Sequence, residues 1–418
     1  MARTGPYPAP PPSRGSWAAV VGIALGAFAL VVTEFLPVGL LPDMTREFGV
    51  SEGTAGLAIT ATALLGAIAA PLTTVVIRRI DRRAVLLALT ALLVVAGAIS
   101  AVASHFAVLI AGRVLLGLAV GGFWAVSLAA AARLVPPDRV HTASSLVLGG
   151  ISIGAVVSVP AASFISAHYD WRTAYWAATA LALIVFLIQV ALLPKIPIQN
   201  AVAVSQFRQL LAMPKVRAIL LTVVLVVGGH YAGYTFITPY LEQLTGLRTN
   251  SLSILLLAYG VLTVVGTFVG GALAARHRHR AVLITTIVFL LAMTAAAAFA
   301  HQAAVTTIAV LVWGLAIGMA PVCTQLWLHT NTTRFVEAAQ AVNTGVFQLS
   351  IALGSLLGSV TVDLISLHSS MWLGAAALAL AVIVVVIVGR VAPDDAPERQ
   401  HGTEAGTPAE AGDPVASR

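Results

Sequence analysis

The chain has 418 residues, 59% of them apolar and only 9% charged, where an ordinary soluble domain carries about 25% charged residues. Together with a mean hydropathy of +0.96, this excludes a soluble enzyme, a disordered chain and a nucleic-acid binder, despite a net charge of +7 and a pI of 10.1. The single cysteine, Cys323, excludes an internal disulfide and a multi-cysteine metal site. It reads as a small buried apolar residue, and no metal or other cofactor is expected.

Residues 1–16 are proline-rich, lack the apolar core of a signal peptide and are expected to be disordered. Twelve apolar runs of helical length follow, at roughly 17–41, 52–77, 84–104, 107–132, 142–166, 173–193, 218–240, 251–275, 281–299, 304–328, 338–363 and 370–389. A bilayer-spanning helix needs about 20 apolar residues. Barrel strands would alternate polar and apolar over about 10 residues, and no such alternation is present. The fold class is therefore an all-α membrane protein of twelve transmembrane helices. The longest connection, 194–217, contains an amphipathic stretch, Ser205 to Leu211, expected to lie on the membrane surface. It separates a six-helix bundle at 17–193 from a second at 218–389. The tail, 390–418, is rich in Pro, Gly, Ala and Glu and is expected to be disordered.

Charge placement orients the chain. Of the 23 Lys and Arg, only Arg46, Arg172 and Arg248 fall in loops on one side, and Arg113 falls inside a span; all the others lie on the side of the termini. Both termini are thus expected in the cytoplasm, in a bacterial-type plasma membrane. This asymmetry explains the high pI without nucleic acid.

One constant offset aligns the two halves. Pro42 falls on Pro239, Gly49 on Gly246, Arg83-Ala84-Val85-Leu86 on Arg280-Ala281-Val282-Leu283, and Gly117 and Gly121 on Gly314 and Gly318. A slightly larger offset pairs Gly154 with Gly354. Two homologous halves imply a pseudo-twofold axis along the membrane normal, a substrate site near the midplane and a rocking motion around it. This points to transport over a static receptor or scaffold.

Glu34 is the only acid well inside a span, and Arg113 in span 4 is costly in a membrane unless paired. A buried carboxyl that meets a cation in one conformation and loses it in another gains and loses a proton, which makes Glu34 and Arg113 the candidate proton-coupling pair. A static buried ion pair between spans 1 and 4 is the alternative. Gly117 and Gly121 follow Arg113 at i+4 and i+8 and permit close helix approach. In span 5, Gly150, Gly154 and Pro160 form a small-residue surface, and Gly354 and Gly358 in span 11 are expected to be its partner. The loop after span 2 reads Thr74-Val75-Val76-Ile77-Arg78-Arg79-Ile80-Asp81-Arg82-Arg83.

These strings resemble the major facilitator superfamily across nearly the whole chain. The loop is similar to the family's G-x-L-x-D-R-x-G-R-R signature, with Thr74, Arg78 and Asp81 replacing Gly, Asp and Gly. Asp81 is the nearest acid to the one missing at Arg78; Asp138 and Glu337 in neighbouring loops are the other substitutes. Asp81, Arg82 and Arg83 are therefore candidate gating residues. Arg113 with Gly117 is similar to the span-4 motif of drug/proton antiporters, and the span-5 glycines and Pro160 to a motif of exporters in the superfamily. Strings such as Glu34-Phe35-Leu36-Pro37-Val38, Gly121-Gly122-Phe123-Trp124-Ala125 and Trp313-Gly314-Leu315 are similar to a branch that exports purine ribonucleosides.

The resemblance implies a monomeric, proton-driven exporter in the major facilitator fold, taking a small molecule and a proton as partners within the lipid bilayer. A multidrug, antibiotic or sugar exporter is the alternative substrate reading. Candidate substrate contacts are the polar and aromatic residues within spans: Phe123 and Trp124, His230, Tyr231 and Tyr234, Gln325, Asn343 and Gln348. Amides offer a donor and an acceptor side by side, and aromatic faces stack on a base. His230 also reads as hydrogen-bonded packing, Trp327 as an interfacial anchor, and Asp363 as a residue near the outer surface without a coupling role. No catalytic motif or phosphate loop is present.

Overall fold

The computed structural model describes residues 14–76, 80–196, 204–247, 249–332 and 336–391. Most of the proline-rich start, Arg78 and the tail expected to be disordered lie outside them. Among the described residues there is no strand, and twelve helices are long and apolar enough to cross a membrane.

The first six are α1 (Arg14–Phe48), α2 (Glu52–Val76), α3 (Arg82–Ala101), α4 (Phe106–Arg133), α5 (Val140–His168) and α6 (Trp171–Leu192). The amphipathic linker forms α7 (Val204–Ala212), which tucks Leu210 into the second half. Then follow α8 (Pro214–Tyr234), α9 (Ile237–Thr245), α10 (Thr249–Arg276), α11 (Arg278–Ala298), α12 (Ala303–Thr330), α13 (Val336–Leu364) and α14 (Leu367–Val391). An even number of crossings returns the chain to the face it left, called here the basal face; the opposite one is the far face.

Span 7, read from the sequence as one helix, is broken between α8 and α9 at Thr235 and Phe236. Pro239 has no N–H to give the carbonyl four residues earlier, that of Thr235, so the helical ladder is interrupted there.

The internal repeat is built into the packing. A Cβ on Gly121 would lie 2.8 Å from Ala69 Cβ in α2, and one on Gly318 2.9 Å from Thr263 Cα in α10. Equivalent glycines thus let α4 close on α2 and α12 on α10. Gly154 packs on Phe28 and Val31 of α1, and a Cβ on Gly354 would lie 2.8 Å from Gly228 Cα in α8. This corrects the expected pairing of spans 5 and 11: each set of glycines serves a contact within its own half. The small-residue pattern reports close approach, but it does not say which helix approaches.

The halves meet through α2 against α13 and α5 against α10, again a symmetric pair. One apolar core draws Val38, Ile59, Ala63 and Val159 from the first half into the cluster of the second.

Candidate functional site

Glu34 lies near the middle of α1 and is 4% exposed; Arg113 in α4 is fully buried. The local sequence explains their meeting. Pro37 lies inside α1 and has no N–H, so the carbonyl of Thr33 has no helical partner. Buried carbonyls are rarely left unpaired. Arg113 Nη1 donates to Thr33 O at 2.9 Å, Nη2 to Glu34 O at 2.5 Å and Nε to Ala58 O in α2 at 3.0 Å. The guanidinium therefore ties α1, α2 and α4 together through main-chain oxygens. The expected side-chain pair between Glu34 and Arg113 is not formed here. The Glu34 carboxylate instead accepts from Gln348 Nε2 of α13, at 3.2 Å.

That bond crosses from one half to the other. Beside it, Phe35 of α1 stacks on Tyr231 of α8, with ring centroids 5.9 Å apart. Behind Tyr231 lies an aromatic cluster. His230 stacks on Tyr234 at 4.8 Å, Tyr234 on Tyr259 at 5.3 Å, and Trp313 Nε1 donates to His230 Nδ1 at 2.9 Å. His230 is thus held as hydrogen-bonded packing. The constant offset between the halves places Glu34 on Tyr231, so one pseudo-symmetric position carries the carboxyl in the first half and a phenol in the second.

Other sequence candidates fall elsewhere. Phe123 belongs to the core of the first half, its ring against Gly26 of α1, and Trp124 packs at the edge of that core. Neither joins the aromatic cluster at the half interface. Gln325 Nε2 donates to Gln340 Oε1 at 2.9 Å, toward the basal end of the second half. Asn343, nearer the middle of α13, has a buried Oδ1 without a hydrogen-bond partner. Gly150 and Pro160 both lie in α5; a Cβ on Gly150 would collide with the Ala24 carbonyl of α1. A Cβ on Gly117 would lie 2.7 Å from Leu65 Cβ of α2, and one on Gly358 2.5 Å from the Ala232 carbonyl oxygen of α8. Trp327 is fully buried beside His279, which corrects its reading as an interfacial anchor. Cys323 is buried as expected.

Asp81 caps α3, accepting from Arg83 N at 2.7 Å, and also accepts from Ile196 N at 3.1 Å. Arg82 N donates to Ile196 O, and Arg83 Nη2 to Val190 O at 2.9 Å. These bonds of the loop stay within the first half and the start of the linker that leaves it. Asp138 pairs with the adjacent Arg139 on the surface, and the side chain of Glu337 lies outside the described residues.

The residues that sequence reasoning passed over are Phe35, Tyr259 and Trp313. Phe35 adjoins Glu34, which is a usable signal. Tyr259 is one of two aromatics in an otherwise aliphatic helix, a weak one.

The family model described as Major Facilitator Superfamily matches residues 23–335 and 220–413. The purine ribonucleoside efflux pump NepI of Escherichia coli strain UTI89 is 31% identical over 373 residues, covering 89% of this chain and 94% of the relative. The pump of the same name from Shigella flexneri is 30% identical over an alignment of the same length and coverage. Among solved structures, a bacterial homolog of the human lysosomal transporter Spinster, inward-facing and unoccupied, superposes with a TM-score of 0.72 at 14% identity, over 90% of this chain and 96% of that one. A D-xylose-proton symporter gives 0.70 at 17% identity, over 88% and 97%.

Proposed function

This chain belongs to the Major Facilitator Superfamily and is a multi-pass membrane transporter rather than an enzyme; on that premise we propose that it exports purine ribonucleosides from the cytoplasm in exchange for protons. The basal face is the cytoplasmic one, in a bacterial plasma membrane. The observation that carries this reading is the Glu34–Gln348 bond between the halves. A hydrogen bond to a charged carboxylate is roughly twice as strong as one between neutral groups. Protonation of Glu34 weakens the tie and frees the halves to part; loss of the proton restores it. Arg113 positions Glu34 through the backbone of α1.

Two features support the substrate class. The Phe35–Tyr231 stack between the halves offers aromatic faces to a base once the halves part. Asn343 Oδ1 is an unsatisfied acceptor suited to a base N–H or a ribose hydroxyl. The driving force suffices: one charge crossing 100 mV supplies about 2.3 kcal/mol, and one pH unit adds about 1.4 kcal/mol. Together they hold a neutral solute at several-hundred-fold excess outside.

The test is uptake of labelled inosine or guanosine into inside-out vesicles with an acidic lumen. Accumulation that a protonophore abolishes, and that Glu34→Gln lacks at normal protein levels, is expected. Uphill uptake by Glu34→Gln refutes the coupling role. Absence of nucleoside uptake, alongside proton release triggered by other compounds, refutes the substrate.

A further inference from the structure

We propose that Asp363, at the far end of α13, is the latch that holds the far face closed, a role that rests on the reading of this chain as an alternating-access exporter. The first turn of a helix leaves N–H groups without intrahelical partners. In α2 this turn is capped from the other half of the molecule. Asp363 Oδ1 accepts from Gly53 N at 3.0 Å, and Oδ2 accepts from Ser51 Oγ at 2.8 Å. Ser51 Oγ in turn accepts from Thr54 N at 3.0 Å. A carboxylate there also meets the positive end of the helix dipole. Caps usually come from the residue just before the helix. This one comes from 310 residues away, so it exists only while the halves are together.

The surroundings are built for that approach. A Cβ on Gly53 would collide with the Asp363 carboxyl and the Ser359 carbonyl. One turn deeper, Ser355 Oγ donates to Gly56 O at 3.2 Å, and a Cβ on Gly56 would lie 2.7 Å from Phe236. Gln243 Nε2 donates to Glu52 Oε1 at 2.5 Å, a further polar tie between the halves. Beneath them Leu41, Ala55 and Phe236, each fully buried, seal the path toward Glu34. Opening the far face must break the Asp363 bonds to Gly53 N and Ser51 Oγ, while Ser51 keeps its own bond to Thr54 N, so the latch sets the balance between closed and open states. A cap replaced by alanine shifts such a balance about five- to tenfold.

The test uses the full chain in lipid nanodiscs, with Cys323→Ser and spin labels on Tyr169→Cys and Ile365→Cys. These two sites are 76% and 73% exposed, lie at the far face and belong to different halves. Double electron–electron resonance reads their separation. Asp363→Ala should raise the population at longer distance about five- to tenfold. Asp363→Asn, whose amide oxygen still accepts a bond, should fall between it and wild type, and Ser51→Ala should shift the same way by less. A lower melting temperature with an unchanged distance distribution would make Asp363 a structural residue and overturn the latch. If wild type still switches distance when the buffer is taken from neutral to acid pH in that case, the exporter reading stands without it; if it does not switch, that reading falls too.

Discussion

Removing the Arg113 guanidinium tests whether it serves the proline-freed carbonyl of α1. Glu34 O and Ala58 O lie within continuous helices, with the N–H groups of Val38 and Thr62 four residues on. Thr33 O faces Pro37 and has no such donor. Arg113→Ala therefore strands one buried acceptor, which costs about 1–3 kcal/mol, beyond the packing lost with the side chain. Pro37→Ala restores a donor at position 37 and removes the need for Arg113 at Thr33. In the Pro37→Ala background, Arg113→Ala should cost about 1–3 kcal/mol less than in wild type. The assay is unfolding in mixed micelles with increasing denaturing detergent, on all four members of the cycle. Contacting residues couple by about 0.5–3 kcal/mol, whereas independent sites add within about 0.5 kcal/mol. Additive effects would refute the claim that the arginine serves the acceptor created by the proline. Arg113→Lys should recover part of the stability at most, because an ammonium lacks the planar fork that reaches three carbonyls.

Trp313→Phe removes the donor to His230 Nδ1 and should cost about 1–3 kcal/mol in the same unfolding assay; an unchanged midpoint would show that the bond carries no net weight. Gly318→Val should abolish folded protein on size exclusion, because a Cβ there meets the Thr263 backbone, while Gly149→Ala, with open space around it, should fold normally. Glu242 lies on α9 at the far face, and burial, with Asp43 and Glu52 adding to it against Arg46, raises its carboxyl above the ordinary 4.5. A raised carboxyl favours the folded state while protonated, and that contribution fades as pH climbs from the unfolded value through the folded one. Glu242→Gln should therefore melt increasingly above wild type as pH rises beyond the ordinary carboxylate range; a gain largest at acid pH would contradict the assignment.

The length and continuity of the apolar runs make the twelve helices legible, because a bilayer fixes the number of residues per crossing. Pro239 frees the Thr235 carbonyl by the same rule that frees Thr33 O at Pro37, but α1 runs unbroken through Pro37 and Pro42, so the proline alone does not foretell the break after Tyr234. Helix partners are not legible either. Gly154 and Gly354 announce small surfaces, but the partner depends on which faces the bundle turns together. Phe123 reads as a pocket residue because α4 is apolar on every side and offers no periodicity to assign its face. Glu34 stands out as a lone mid-span carboxyl; that its partner is Gln348 is a property of the assembled halves.

The two halves repeat their frame and differ in their chemistry. Gly117 and Gly121 have counterparts in Gly314 and Gly318, and Gly154 has one in Gly354, with matching packing in each half. Glu34 has Tyr231, and Arg113 has Val310. The proline-freed acceptor at Thr33, the cation that serves it and the carboxyl beside it are thus confined to the first half, while the aromatic cluster and the unsatisfied amide belong to the second. A rocking motion that opens one face and closes the other separates these two sets of groups. On the proposed mechanism, protonation acts on the first half and solute binding on the second, and the Glu34–Gln348 bond is where each senses the other. On that proposal the single mid-span carboxyl among the described residues carries one proton per turnover, which at about 100 mV and about one pH unit sustains a several-hundred-fold excess.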